Sequence, residues 1–552
     1  MMYREVRGLH QAAYVLAFFA FGSQLLALVR DRMLAHQFGA GGELDIYYSA
    51  FRIPDLLYVL FASTLSVYVL IPFVSRYMQS DSSGSQARHL LSQVFSVFLV
   101  LYVLLALVIA LLAPYIVPIV FPGLVGEFDK TVMLLRILLL QPLLLGVSSL
   151  FGVVTQLGHR FVLYAISPLL YNIGIIIGIV FFYPIMGLSG LAWGVVLGAL
   201  GHMFVQFPLV RSSALAFGAT TRIVWSDIGS VLRVSIPRAL TLAMHQVVLL
   251  VLVAIAGLMT VGSVAVFQFA YNLQSVPLAI IGASYSIAAF PLLSDLFAQK
   301  KMDVFRFHIN TALRHIIFWS VPAVGLIIVL RAQMVRVVLG SGAFDWGDTK
   351  LTAAVLALLS ISLFAQAMNL LLVRVFYAGG YTKVPFLVTF FGSTLAVAST
   401  LGLYTTSVTQ PTFIHSLEVL MRVDGVPGSE VLMIALGYSF AMLVQVLVLL
   451  VYAARMFKLQ FKGLATHMGK AVCAAIVGGA SAYAALNFFI FGVDETSALG
   501  IFLQGFLGGV MGIIGAASTY YVLRTPEMTE IYKSFRGRLF KTDVVAVQDE
   551  IL

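Results

Sequence analysis

The chain has 552 residues, of which 61% are hydrophobic and 10% are charged, and its formal net charge is +10. A soluble domain carries roughly 25% charged residues, so this composition excludes a large soluble domain. The single cysteine excludes a disulfide framework and a cysteine-based metal site. Because the basic residues are distributed around apolar runs, the net charge indicates membrane topology rather than a nucleic-acid partner.

Apolar runs that are long enough to cross a bilayer recur along the whole chain. A hydrocarbon core of about 30 Å requires ~20 apolar residues in a helix. The runs are continuous, as in residues 101–112, whereas the strands of a membrane β-barrel alternate apolar and polar residues. We therefore predict an all-α integral membrane protein with about fourteen transmembrane helices, at residues 10–30, 46–74, 89–121, 131–157, 161–182, 186–209, 231–258, 262–293, 310–331, 349–377, 384–406, 430–456, 467–491 and 497–523.

Lys and Arg are distributed unevenly between the predicted loops. If the N-terminus is inside, the inside loops and span ends hold 21 of the 33 Lys and Arg residues, and the outside ones hold 7. Positive residues favour the cytosolic side, so this bias predicts an even number of spans with both termini cytosolic. In this orientation the loop 409–430, which is long for this chain, faces outside.

Two short patterns recur at nearly one offset. Pro-Phe-Val-Ser at 72–75 and Pro-Leu-Leu-Ser at 291–294 end the second and eighth spans, 219 residues apart. Gly-His-Arg at 158–160 and Gly-Tyr-Thr-Lys at 380–383 follow the fourth and tenth spans, 222 residues apart. Chance is the alternative for such short matches, but both pairs fall at equivalent spans. We predict two duplicated six-helix halves in one orientation, a parallel pseudo-two-fold repeat typical of transporters.

This repeat sets the predicted domain boundaries. The predicted parts are a cytosolic N-terminus at 1–9, an N-lobe at 10–209, a C-lobe at 210–456, two additional C-terminal helices within 457–523, and a cytosolic tail at 524–552.

Basic residues inside the predicted spans point to a ligand. A charge at the bilayer centre costs at least ~2.5–3.5 kcal/mol on insertion scales, so it usually faces a cavity or a partner. The only clear acid within a span, Asp55, follows Arg52 at i+3, and the two are candidates for pairing. The remaining positive charge predicts an anionic ligand such as phosphate or pyrophosphate, which arginine grips with two donors. Arg30 lies at the outer end of the first span, and the basic residues within spans are Arg52, Arg136, Arg238, Arg314 and Arg374.

Several of these residues have simpler explanations. Arg314, Arg374 and Arg136 lie near span ends, where long side chains reach the interface. His202 and His245 are more typical of satisfied contacts between helices than of proton carriers. The sequence shows no clustered His and carboxylates for a metal site, and no nucleotide-binding or hydrolase motif. Neither a metal centre nor an enzyme is therefore predicted.

Several stretches recur here in the order of a known family. They begin with Leu-Val-Arg-Asp at 28–31, Gln-Phe-Gly-Ala-Gly at 37–41, Asp45, and Ala-Phe-Arg-Ile-Pro-Asp-Leu-Leu at 50–57. They continue with Gln-Leu-Gly-His-Arg-Phe at 156–161, Ala-Trp-Gly-Val-Val-Leu-Gly at 192–198, Ser-Gly-Ala-Phe-Asp at 341–345 with Asp348-Thr349, and Phe-Tyr-Ala-Gly-Gly-Tyr-Thr at 376–382. Together these stretches resemble the MurJ (MviN) lipid II flippases. Beyond residue 385 only span count and length agree.

The resemblance implies a fold and a substrate. The fold is two six-helix lobes around a central cavity, within the multidrug/oligosaccharidyl-lipid/polysaccharide exporter superfamily, with helices 13 and 14 forming a groove for a lipid tail. The substrate is an undecaprenyl-pyrophosphate-linked peptidoglycan precursor, lipid II. The family moves it by alternating access from the inner to the outer leaflet of the bacterial cytoplasmic (inner) membrane, with the cell-wall synthesis machinery as a candidate partner.

The resemblance also selects residues. Arg30, Asp31, Asp45 and Arg52 match the family, whereas Gln24, Tyr58 and Asn272 stand where the family has arginines. The missing charges leave an alternative open, a flippase or exporter of the same fold for a different lipid-linked glycan. A non-transporting scaffold derived from this fold is another alternative. The predicted substrate-binding residues are Arg30, Asp31, Arg52, Asp55, Arg238, Asn272 and Gln24, and the predicted gating or structural residues are Asp45, Pro54 and Pro277.

The sequence predicts no cofactor, and it gives a hypothesis for the driving force. Carriers coupled to protons or sodium usually need a carboxylate within the membrane. The C-terminal half has none well inside its predicted spans, and Gln246, Asn272 and Asn369 are weaker candidates for binding Na⁺. We therefore expect the membrane potential, or a substrate gradient, to drive transport.

Overall fold

The computed structural model describes residues 9–81, 83–461, 463–489 and 497–530, and the described residues contain helices and no strands. This confirms the predicted all-α class. The α-helices, numbered α1 to α21 in chain order, are Leu9–Phe38, Gly42–Thr64, Val67–Ser80, Ser85–Val120, Phe128–Leu138, Leu140–Leu157, Phe161–Ile177, Tyr183–Met186, Leu188–Phe204, Phe207–Ser212, Trp225–Gly257, Ser263–Leu278, Ser284–Ala298, Met302–Val338, Trp346–Ser360, Leu363–Ala378, Lys383–Thr409, Pro411–Met421, Val431–Phe457, Leu464–Phe489 and Ala498–Val522. Two π-helical segments, Gly178–Phe182 and Ala279–Ala283, lie between α7 and α8 and between α12 and α13.

A helix occupies each of the fourteen predicted span positions, but the count of fourteen spans is not confirmed. Among the described residues, eleven helical stretches are long and apolar enough to cross a membrane, and α15 with α16, bent by 45°, would make a twelfth. The predicted spans at 10–30 and 46–74 are not among them. In the second case the chain breaks at Leu65 and Ser66, and α2 carries four charged residues, Glu43, Asp45, Arg52 and Asp55, which reduce its hydropathy.

The two predicted hinge prolines lie in different local structures. Pro277 is near the end of α12, directly before the π-helical segment Ala279–Ala283. Proline has no N–H to donate to the carbonyl four residues earlier, so a loosened helix at this point is expected. Pro54 lies inside α2, which continues to Thr64. Hinge roles for both residues remain predictions.

The chain divides into two compact units. The first contains the described residues up to Asn272 together with Val338–Val355 and Thr382–Ala441. The second contains Leu273–Val337, Leu356–Tyr381 and the described residues from Met442 onward. The predicted lobe boundaries and the duplication stay predictions. Residues 1–8 of the predicted N-terminal segment and 531–552 of the predicted tail lie outside the described residues.

Small residues allow helices to approach closely within each unit. In the first unit, a Cβ added to Gly178 would lie 2.7 Å from the Cα of Gly194, so α9 packs directly against the end of α7 and the π-helical segment after it. In the second unit, a Cβ added to Gly478 would lie 2.9 Å from the carbonyl oxygen of Gly512, where α20 meets α21. Such contacts are typical of membrane helices, which associate through close packing rather than through the hydrophobic effect.

Candidate functional site

Arg30 and Asp31 lie side by side on α1, and both are held by neighbouring groups. The Arg30 Nη2 and Nε atoms donate to Asp31 Oδ1 at 2.7 and 2.9 Å, and Nη1 donates to Asn172 Oδ1 at 3.1 Å. The Asp31 side chain is only 5% exposed, whereas that of Arg30 is 20% exposed. Arg30 is therefore anchored by two partners, and its side chain is partly exposed.

A continuous set of hydrogen bonds joins Arg30 to Arg52. Asn272 Nδ2 donates to Asp31 Oδ2 at 2.9 Å, and Gln268 Nε2 donates to Asn272 Oδ1 at 2.6 Å. The Gln268 Oε1 atom accepts from Arg52 Nη2. Gln268 and Asn272 are four residues apart on α12, so they lie on one face of that helix. We call these five residues the Arg30–Arg52 chain.

The Arg30–Arg52 chain is buried at its Arg52 end, and hydrogen-bond donors there are unused. Arg52 is 6% exposed, and its Nε has no hydrogen-bond partner among the described residues. The hydroxyl of Tyr48, 8% exposed, also has none there. Buried donors without partners cost free energy, so such groups mark places where a ligand or water is expected.

The charges of this cluster balance. Arg30 faces Asp31, and Asp55, which accepts a hydrogen bond from the Gln141 side chain, lies close enough to Arg52 to interact with it electrostatically. Two arginines and two aspartates sum to zero formal charge. The excess of positive charge expected from the sequence is therefore not present among these four side chains, and an anion bound here would rely on directed N–H donors.

Asp45 joins α2 to α12. Its Oδ2 atom accepts from the backbone N–H of Gly262 at 2.6 Å and its Oδ1 from that of Ala265 at 2.9 Å. These N–H groups open α12 and have no partner within the helix. A carboxylate at a helix N-terminus is also favoured by the helix dipole. Asp45 is 4% exposed, so this is a buried anchor between two helices.

A second anchor joins two of the family-like loops. The backbone N–H of Ala40 donates to Asp348 Oδ2 at 3.0 Å, and that of Ala343 donates to the carbonyl of His36 at 2.9 Å. Gly39 has a φ of +60°, and a Cβ there would lie 2.7 Å from the Ala343 carbonyl oxygen. Only glycine fits both the left-handed conformation and the close approach.

Of the remaining predicted binding and gating residues, Gln24, Arg238 and Pro54 lie in the first unit and Pro277 lies in the second. Gln24 is exposed on α1, and Arg238 is half-buried on α11, seven residues before His245. Tyr58 hydrogen-bonds with the Ser149 side chain. Arg136 is exposed and its Nε donates to the Ala110 carbonyl at 2.9 Å. Binding roles for Gln24 and Arg238 stay predictions.

Three residues of the site were not predicted from the sequence. Gln268 links Arg52 to Asn272, Asn172 anchors Arg30, and Gln141 contacts Asp55. Each is an amide inside an apolar span, and that isolated polarity was the available signal, because polar groups at membrane depth need partners. Their pairing with particular arginines was not readable from the sequence.

The two histidines expected to make contacts between helices do so. His202 Nδ1 lies 2.7 Å from Ser148 Oγ, and His245 Nε2 lies 2.9 Å from the Tyr271 hydroxyl. Both prediction and geometry assign them to packing.

Comparison with known proteins gives one consistent result. A family model described as lipid II flippase MurJ matches residues 34–496, a range that includes Asp45, Arg52, Gln268 and Asn272 and begins after Arg30. A probable lipid II flippase MurJ of Rhizobium meliloti (strain 1021) is 23% identical over 527 residues, which cover 91% of this chain and 94% of that protein. One from Buchnera aphidicola subsp. Baizongia pistaciae (strain Bp) is 24% identical over 381 residues, 68% of this chain and 74% of that protein.

Solved structures agree in fold. The inward closed conformation of lipid II flippase MurJ has a TM-score of 0.72 at 20% identity, and the alignment covers 93% of this chain and 100% of that one. An inward-facing multidrug resistance MATE family transporter of the MOP superfamily has a TM-score of 0.61 at 15% identity, covering 79% of this chain and 96% of that one.

Proposed function

This chain belongs to the lipid II flippase MurJ family, and from that premise we propose that it moves lipid II from the inner to the outer leaflet of the bacterial cytoplasmic membrane. It is a transporter and not an enzyme. The substrate in this proposal is an undecaprenyl-pyrophosphate-linked peptidoglycan precursor, moved by alternating access. The structural observation that supports the proposal is the hydrogen-bonded Arg30–Arg52 chain, with its unused buried donors.

The donors of the Arg30–Arg52 chain suit a pyrophosphate group. Arginine presents a planar fork of N–H groups that matches phosphate oxygens, and its charge does not depend on pH in the physiological range. Arg52 provides such a donor at Nε, which has no partner among the described residues, and the second arginine of the Arg30–Arg52 chain, Arg30, has a side chain that is 20% exposed. A phosphate oxygen at Arg52 Nε would satisfy a buried donor that otherwise has no partner.

The neutral charge balance favours a second candidate, a flippase of the same fold for a different lipid-linked glycan. Where the family resemblance implies a basic residue, this chain has Asn272, whose amide is hydrogen-bonded to Asp31. An amide offers directed hydrogen bonds but no charge. Binding here therefore depends more on the shape of the head group than it would in a site with three further arginines. The two candidates share the fold and the anionic carrier, and differ in the attached glycan.

Complementation separates the two candidates. Expression of this chain in bacteria depleted of their own lipid II flippase should restore growth, and reconstituted protein should expose labelled lipid II on the opposite leaflet of liposomes. An undecaprenyl-pyrophosphate-linked glycan without the peptide serves as the competing substrate. Normal membrane levels with no rescue and no movement of lipid II, but movement of the competing substrate, would establish the second candidate instead.

We further propose that the membrane potential drives transport. Coupling to sodium or protons usually uses a carboxylate within the membrane, and the C-terminal half has none well inside its predicted spans. Liposomes with K⁺ and valinomycin can hold the potential at zero or at a negative value. Flipping should require the potential, and a sodium or proton gradient alone should not support it. Rapid flipping driven by a sodium gradient at zero potential would refute this coupling.

The membrane orientation in this proposal has both termini in the cytosol, and the cell-wall synthesis machinery is its proposed partner. The excess of Lys and Arg in the predicted inside loops supports the orientation. A C-terminal reporter enzyme that is active only outside the cytosol should therefore remain inactive. Activity of that reporter would reverse the orientation.

A further inference from the structure

Three side chains in the predicted outer loop 409–430 converge on one point. His415, Glu418 and Asp424 each offer one ligand atom, and these atoms all lie within 4.8 Å of one another. His415 and Glu418 lie on α18, three residues apart, whereas Asp424 follows the helix. The cluster differs from the sequence-based expectation that His and carboxylates do not gather in this chain.

The end of α18 brings Asp424 back to the helix. Arg422 has a φ of +61°, in the left-handed region. The N–H of Val423 donates to the Glu418 carbonyl at 2.9 Å, and that of Arg422 to the Val419 carbonyl at 3.2 Å. These two bonds form a Schellman motif, which fixes the direction of the chain after a helix. Val423 is fully buried, so the turn is also held by packing.

Glu418 is oriented by a partner outside the cluster. Its Oε1 atom accepts a hydrogen bond from the Ser429 hydroxyl, and Ser429 is 5% exposed. The other oxygen, Oε2, lies 3.8 Å from His415 Nδ1. Ligands of metal sites are typically held in this way by a second hydrogen bond that fixes their direction.

The spacing of the ligand atoms fits a small tetrahedral ion. Two ligands that are each about 2.0–2.2 Å from zinc lie roughly 3.4 Å apart in a tetrahedral site. His415 Nδ1 is 3.4 Å from Asp424 Oδ1 and 3.8 Å from Glu418 Oε2. Imidazole suits zinc, whereas calcium and magnesium prefer oxygen ligands alone. We propose that His415, Glu418 and Asp424 bind one Zn²⁺, with water in the fourth position.

The bound zinc would stabilise the conformation of the loop. It joins α18 to the segment after it, and that segment reaches Glu430, whose Oε2 accepts from the Thr260 hydroxyl at 3.5 Å. Thr260 lies two residues before Gly262, which Asp45 holds. The site therefore stabilises an outer-loop structure beside the start of α12. This proposal does not depend on the transported substrate.

Zinc titration of the full-length protein tests the proposal. The protein is purified in detergent without a polyhistidine tag, and Zn²⁺ is titrated against a chromophoric chelator. We expect one Zn²⁺ per chain, a higher Tm with zinc, and loss of both effects in His415→Ala and Asp424→Asn. Both side chains are more than half exposed, so these variants should fold. Ser429→Ala should weaken zinc binding by about tenfold, because it removes the bond that orients Glu418.

Two exposed residues provide matched controls. His159→Gln removes one exposed histidine and Asp129→Asn removes one exposed aspartate, and neither variant changes the cluster. Both should bind zinc like the unmodified protein. The proposal is overturned if the unmodified protein does not bind zinc, or if His415→Ala and Asp424→Asn bind it as the unmodified protein does. The cluster would then consist of surface ion pairs only.

Discussion

Arg52→Ala should abolish transport while the protein remains in the membrane. The substitution removes the Arg52 Nε donor, which is buried and has no partner among the described residues, and leaves the side-chain Oε1 of Gln268 without its Arg52 partner. A hydrogen bond to a charged group contributes about 1.5–3 kcal/mol, so loss of the one phosphate contact at Arg52 Nε would reduce substrate affinity by about 10- to 100-fold. The measurement is lipid II exposure in proteoliposomes, with protein amount and Tm determined in parallel.

Arg52→Lys and Arg136→Ala make this result interpretable. Lysine keeps the charge but not the planar fork, so it cannot reach Gln268 and a phosphate together, and transport should be strongly reduced with little change in Tm. Arg136 is also an arginine within a predicted span, but it is exposed and donates to the Ala110 carbonyl, so Arg136→Ala should transport normally. Normal flipping by both Arg52 variants would remove this residue from the binding site.

Among the variants considered, Asp45→Ala should cause the largest loss in the free energy of unfolding. The carboxylate accepts two backbone hydrogen bonds at the start of α12 in a buried position, and the alanine variant leaves both N–H groups without a partner. Buried groups that lose a charged partner cost about 1.5–3 kcal/mol each, and because such effects are not additive we expect about 3 kcal/mol in total. Thermal unfolding in detergent, followed through tryptophan fluorescence, measures it.

Asp45→Asn and Glu43→Ala serve as comparisons. Asparagine retains one acceptor oxygen and the shape, so its loss of stability should be smaller than that of alanine. Glu43 lies in the same turn of α2, but it is exposed and accepts a hydrogen bond from the Tyr183 hydroxyl at 3.0 Å, so its removal should cost under about 1 kcal/mol. If Asp45→Ala unfolds at the same temperature as Glu43→Ala, the anchor contributes nothing to the free energy of unfolding.

Asp45 and Arg52 act on the same pair of helices. Asp45 holds the start of α12 through Gly262 and Ala265, and Arg52, two turns along α2, contacts Gln268 on α12. Two contacts at different levels fix the register of one helix against the other. A variant that weakens the first contact should therefore also displace Gln268 and reduce transport, even though Asp45 does not touch the substrate in this proposal.

The sequence by itself determined the class of the protein, the positions of its helices and its family. Hydrophobicity is a property of a segment, so a run of about 20 apolar residues identifies a membrane helix wherever it packs. Arg30 and Arg52 were recognisable for the same reason, since a charge in an apolar run is unusual whatever its neighbours are. The break at Leu65 and Ser66 was missed because both sides of it are apolar.

Only the tertiary structure decided which groups meet. Arg30 and its partner Asn172 are 142 residues apart, and Arg52 and Gln268 are 216 apart. Such pairs depend on the rotation and register of packed helices, which small local differences in shape determine and which no single segment contains. The same holds for Asp424, because a left-handed Arg422 and a buried Val423 set the turn that returns it to His415. Local chemistry selects the residues, and packing assigns their partners.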